Sequence, residues 1–243
     1  MSTSPYNTSS SSKTKSQSQS FSSSYAEIQT PSTSGSYSAQ RFHTQQQLSF
    51  LVGGKSYLFP AVFGVYRDGS TKLVLSEHHI TTPFMIITTS NLSDKPSITV
   101  SSPTAVMGTV KFHDSSSKTD IVVGNTSSTL QSSGLLSPVW DFTYTFDNES
   151  QEEFQWKRSS GEAVAGLGGR SRGSKLVRIS TGEVLAAWSQ PATTNMDMVA
   201  KIGLLDSGRP HGWGERWEVT VVLGAIALIE KDRRIRDNAS AAA

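Results

Sequence analysis

The segment WEVTVVLGAIALIEKDRRI, residues 217–235, decides the fold. It holds no turn residue except Gly224, and Ala, Leu, Glu, Lys and Arg are frequent, which favours a helix. Glu215 and Glu218 stand at its start and Lys231, Arg233, Arg234 and Arg236 at its end, the order that complements a helix dipole. Val219, Val221, Val222, Leu223, Ala225, Ile226, Ala227, Leu228 and Ile229 occupy every face of that helix. A helix that is apolar all round must be enclosed on all sides. Its β-branched residues leave a second reading open, in which 219–229 is a fully buried strand. The apolar run has eleven residues, whereas a spanning helix needs about twenty, so no transmembrane span is expected.

The chain before this segment offers strands to enclose it. Short β-prone pieces occupy 49–51, 56–59 and 61–66, and the turn 67–70 separates the last of them from 72–75, a hairpin signal. Further strands are expected at 84–89, 97–100, 106–112 (with Gly108 inside) and 119–123, with loops at 91–95 and 114–118. Residues 142–146 alternate strictly, turn at 147–150, and alternate back at 154–158, which puts the aromatics of both strands on one side. A hairpin is expected from 176–179 and 184–188, and one more strand from 199–205, closed by Asp206, Ser207 and Gly208. Strands at intervals of about ten residues read as an all-β sandwich or barrel. A mainly β, closed barrel with the C-terminal helix threaded through it satisfies both halves of the pattern.

The order of these pieces resembles the tubby C-terminal-like fold, shared with LURP-one-related proteins and phospholipid scramblases. Val106-Met107-Gly108-Thr109-Val110-Lys111-Phe112-His113 followed by Thr119-Asp120-Ile121-Val122-Val123 looks like a strand pair of that family's uncharacterised fungal branch. Phe146 followed by Phe154-Gln155-Trp156-Lys157-Arg158 looks like its F…F-x-W-K-R hairpin. Leu176 followed by Gly182-Glu183-Val184-Leu185-Ala186-Ala187-Trp188 looks like another hairpin of that branch. Lys201-Ile202-Gly203-Leu204-Leu205 then precedes the apolar helix and its basic end. The resemblance covers about residues 48–237. It implies a roughly twelve-stranded antiparallel barrel around a buried hydrophobic C-terminal helix and implies no enzymatic activity. Tubby itself is a phosphoinositide-binding membrane adaptor, but its lipid-contacting residues have no motif that can be placed on this sequence.

Composition narrows the rest. Of 243 residues, 35% are hydrophobic and 17% charged, both low because a Ser/Thr/Gln-rich stretch, 1–45, dilutes the remainder. That stretch is expected to be a disordered tail, since it cannot bury enough apolar area to offset its ordering entropy. The barrel is expected over 46–238, with 239–243 a disordered C-terminus. The N-terminus has no apolar core of a signal peptide, and a cytoplasmic location, peripheral at a membrane, is expected. The absence of cysteine excludes disulfides, thiol nucleophiles and iron–sulfur clusters. A net charge of +2 argues against a strongly basic nucleic-acid binder.

Motifs of catalysis fail in context. Gly169-Arg170-Ser171-Arg172-Gly173 matches the nucleophile elbow G-x-S-x-G, and Asp197 or Asp206 and then His211 follow in hydrolase order. The elbow needs a strand before the serine and a helix after it, whereas here a glycine-rich loop and then a strand are expected. Gly173-Ser174-Lys175 inverts the end of a P-loop. His43, His78, His79, His113 and His211 show no metal-ligand spacing. No enzyme, metal or cofactor is expected.

One charge feature stands out. Lys157, Arg158, Arg170, Arg172, Lys175 and Arg178 face a single acid, Glu162, a net of +5 within 157–178. If the strand 154–158 neighbours 176–179, these cations gather on one rim. Such a rim attracts anionic phospholipid headgroups, at about 1 kcal/mol per residue near the surface. A solvated loop that keeps the barrel soluble accounts for the same charges. Lys231 to Arg236 is balanced by Glu230, Asp232 and Asp237 and reads as a solvated cap. The expected function is therefore a monomeric, non-enzymatic adaptor for anionic membrane lipid. A soluble protein-interaction module with an unknown partner, or a scramblase-like protein with 219–229 in lipid, are the alternatives.

Overall fold

The computed structural model describes residues 50–52, 55–78, 82–92, 95–113, 117–134, 139–191, 197–205 and 213–241. The expected tail, 1–45, lies outside them, as do His43, His79, His211 and the turn 206–208.

A small hairpin, β1 (Phe50–Val52) and β2 (Lys55–Tyr57), precedes the barrel. Twelve strands follow: β3 (Val62–Arg67), β4 (Lys72–Ser76), β5 (Met85–Thr89), β6 (Ile98–Ser101), β7 (Val106–Phe112), β8 (Lys118–Val123), β9 (Thr126–Ser133), β10 (Val139–Thr145), β11 (Gln151–Ser159), β12 (Gly169–Arg178), β13 (Val184–Pro191) and β14 (Met198–Leu204). Each pairs antiparallel with its successor, and β14 pairs with β3 to close the barrel. An even strand number lets an up-and-down meander close antiparallel and leaves no free edge. The helix α1 (Glu162–Ala165) interrupts the β11–β12 connection, and α2 (Gly214–Ala241) follows β14.

Helix, not strand, is the outcome for the deciding segment. All fourteen residues from Trp217 to Glu230 are buried. A helix satisfies its own backbone polar groups, so it can occupy an apolar interior that would leave a lone strand's amides orphaned. Inward side chains from around the barrel, among them Ile98, Val110, Ile121, Leu130, Phe154, Trp156 and Ile202, form one core with it. Gly108 explains itself here. A Cβ at that position would stand 2.6 Å from Leu223 Cδ1 on α2 and 2.7 Å from the Val122 carbonyl oxygen. The helix passes too close to β7 for any side chain.

One strand is new to the sequence reading and two expectations change. Residues 126–133 carry no obvious strand signal, yet they form β9, because only Leu130 and Ser128 are buried there and the inward row is mostly hydroxyl. The supposed glycine-rich loop is the start of β12. Gly169 and Gly173 are strand residues at which a Cβ would strike the β13 backbone, at 2.3 Å from the Gln190 carbonyl and 2.1 Å from that of Trp188. Val164 and Leu167 of the α1 turn pack with Ala187 on this outer face, forming a satellite core. Finally, α2 runs on to Ala241, past the boundary drawn at 238, and its last turn holds no basic residue. The cations of 231–236 therefore do not sit at the helix end where the dipole would favour them.

Candidate functional site at the C-terminal end of the central helix

The strand pairing expected for the basic segment is present. Phe154 lies opposite Arg178, Trp156 opposite Leu176 and Lys157 opposite Lys175. The six cations nevertheless do not share one rim. The alternation of β11 places Phe154 and Trp156 in the core, so Lys157 faces outward beside Lys175. Arg178 lies at the opposite end of the barrel. It makes a bidentate pair with Glu152, in which Nε donates to Oε2 at 3.1 Å, and it stacks 5.4 Å from the centre of the Trp213 ring. Hydrogen bonding to Arg178 holds the Glu152 carboxyl below its ordinary range. The Arg170 side chain lies outside the described residues.

Arg158 and Arg172 do come together, at the end of the barrel where α2 emerges. There they line a cavity of about 480 Å³. Its apolar wall is Trp140, Trp188, Leu228 and Ile235, and its polar wall adds Ser159, Ser160 and Ser174. Leu228, Lys231, Asp232 and Ile235 belong to one face of α2, at spacings of three and four, and Arg236 joins them. Four cations, Arg158, Arg172, Lys231 and Arg236, thus face a single carboxylate, Asp232. That carboxylate is already engaged: Arg158 Nη2 donates to Oδ1 at 3.0 Å and Gln190 Nε2 to Oδ2 at 3.1 Å. Arg172, Lys231 and Arg236 have no acid partner among the described residues.

Lys231 is the unusual member. Its Nζ sits 4.1 Å from the centre of the Trp140 ring and 5.3 Å from that of Phe112. Burial, and then the nearby Arg234 guanidinium, pull the amine down to about 8. The buried Glu230 does not help it. Burial pushes that carboxyl up, but hydrogen bonds from Arg233 and Arg234 outweigh the burial and hold it low.

Sequence reasoning found Arg158 and Arg172 by charge density, and missed Lys231 and Arg236. Counted along the chain they are cancelled by Glu230, Asp232 and Asp237. In space Glu230 and Asp237 pair with Arg233 instead. The i, i+4 relation of Lys231 to Ile235 and of Asp232 to Arg236 was the available signal.

The G-x-S-x-G serine is not in the setting of a nucleophile elbow, and Asp206 and His211 lie outside the described residues. Ser171 lies within β12 rather than on a strand-to-helix turn. Among the described residues no three His, Cys, Asp or Glu side chains stand together as metal ligands. No protein-family model, curated protein or solved structure matches this chain.

Proposed function

We propose that this chain is a non-enzymatic, tubby-like barrel protein that docks on membranes by holding an anionic phospholipid headgroup in the cavity at the C-terminal end of α2. The single observation behind this reading is the cluster of Arg158, Arg172, Lys231 and Arg236 around a cavity whose one acid is already hydrogen-bonded. Guanidinium groups clamp phosphate oxygens bidentately. Each cation near an anionic surface contributes about 1 kcal/mol. Ile235, 65% exposed on the cavity's edge, would face the acyl boundary when the headgroup is seated. Among the described residues no helix is long and apolar enough to cross a membrane, and α2 spends its apolar surface inside the barrel. Peripheral docking is therefore favoured over insertion.

Co-sedimentation of the full chain with neutral, phosphatidylserine and phosphoinositide vesicles tests this. Phosphoinositide-selective binding that survives a rise above about 0.1 M salt supports a headgroup site. Binding to every anionic vesicle that salt abolishes reduces the cavity to a charged surface, and no binding rejects the proposal.

A further inference from the structure

Lys231 is an ammonium whose charge has no counter-ion among the described residues. Its Nζ makes no hydrogen bond or ion pair to a described residue, and it lies over the rings of Trp140 and Phe112. The charged groups around it on α2 are Glu230, Asp232, Arg234 and Arg236; β11 adds Arg158 and β12 adds Arg172. Both acids are committed elsewhere, Glu230 to Arg233 and Arg234, and Asp232 to Arg158 and Gln190. What remains around the amine is positive. The cavity beside it is large enough to admit a small aromatic molecule.

These two properties act together. Positive charge around a cavity concentrates anions there. Burial and like charge also favour the neutral amine, which is the nucleophilic form. With the amine at about 8, about a tenth is neutral at pH 7, against roughly one part in three thousand for an ordinary lysine.

We propose that Lys231 is a reactive amine and that this cavity is a covalent modification site for aldehydes bearing a phosphate. The amine nitrogen attacks the carbonyl carbon and a C–N bond forms. The carbonyl oxygen then leaves as water with the two amine protons, giving a C=N imine. No oxidant or reductant is needed. The phosphate is held by Arg158, Arg172 and Arg236, and the rest of the aldehyde has the half-buried Trp140 and the exposed Ile235 beside it. This goes beyond lipid docking and does not depend on it.

The test is substoichiometric pyridoxal 5′-phosphate on the full chain at about pH 8, near the amine's own value, followed by borohydride trapping and peptide mass mapping. Lys231 is expected to carry about tenfold more adduct than Lys157 or Lys175, which lie on the outer face. Inorganic phosphate should compete, and pyridoxal, which lacks the phosphate, should label Lys231 several-fold less. Lys231→Arg should remove the adduct. Adduct spread evenly over the lysines, or equal labelling by pyridoxal, would overturn the proposal. Both readouts use the unaltered protein, so they stand even if the variant fails to fold, and neither requires vesicle binding.

Discussion

Each end of α2 borders a cavity, of about 350 Å³ at the N-terminal end and about 480 Å³ at the C-terminal end, and the two differ in how their charges are partnered. Trp217 lies among Phe142, Tyr144, Phe154 and Trp213, with ring centres 4.4–6.4 Å away. The polar groups there are paired: Arg178 with Glu152, Arg216 with Asp147, and the buried Glu218 with the backbone amides of Leu58 and Phe59 at 3.1 and 3.2 Å. At the other end the half-buried Trp140 borders a cavity, and Arg172, Lys231 and Arg236 have no acid partner among the described residues. The difference teaches that charge is balanced within the chain at the first end and is left positive at the second, where the proposed headgroup would balance it.

Variants at the two ends should therefore fail in different assays. Trp217→Ala removes the centre of the aromatic cluster and is expected to cost about 3–5 kcal/mol of stability by denaturant titration, the loss seen when a large core side chain is deleted. Arg158→Gln with Arg172→Gln and Arg236→Gln should instead weaken vesicle binding by about 3 kcal/mol, roughly a hundredfold, at about 1 kcal/mol per charge. Stability should barely move for Arg172→Gln alone, by less than about 0.5 kcal/mol. Glu218→Ala leaves two buried amides without their acceptor and should cost about 1–3 kcal/mol without touching lipid binding. If Glu218→Ala abolished binding while the cavity variant did not, the two ends would have exchanged roles.

A pH dependence is expected at the C-terminal end as well. Lys231 has a folded value near 8 against 10.5 for the ordinary amine, so the folded state binds its proton less well than the unfolded chain does. Below about 8 the full penalty of the buried charge is present. It is relieved as pH rises from about 8 to 10.5, so this group makes the protein more stable across that window. Lys231→Met should lack that increment when unfolding is compared at the two ends of the window.

What the sequence revealed, and what it hid, follows from periodicity. The all-round apolar run at 219–229 and the alternating aromatics of β10 and β11 are strong signals because apolar residues mark every face of the helix and every second position of the strands. β9 was invisible because serine and threonine fill its inward and outward rows alike. β12 was misread because glycines that permit close packing against β13 look like loop glycines. The site was half legible. Arg158 and Arg172 lie in a run of cations, but pairing removes Arg178 and strand alternation turns Lys157 and Lys175 outward. Lys231 and Arg236 were hidden because counting charge along a helix ignores which face each residue takes.

The most direct measurement is phosphoinositide-vesicle binding of two variants against the unaltered chain, at matched ionic strength. One neutralises the cavity at Arg158, Arg172 and Arg236; the other neutralises the outer face at Lys157 and Lys175. Loss of binding in the first and retention in the second is the outcome expected of a headgroup held at the C-terminal end of α2. Loss in the second alone, or an equal decline in both, would mean that the cavity holds no lipid headgroup and that surface charge carries whatever vesicle binding there is.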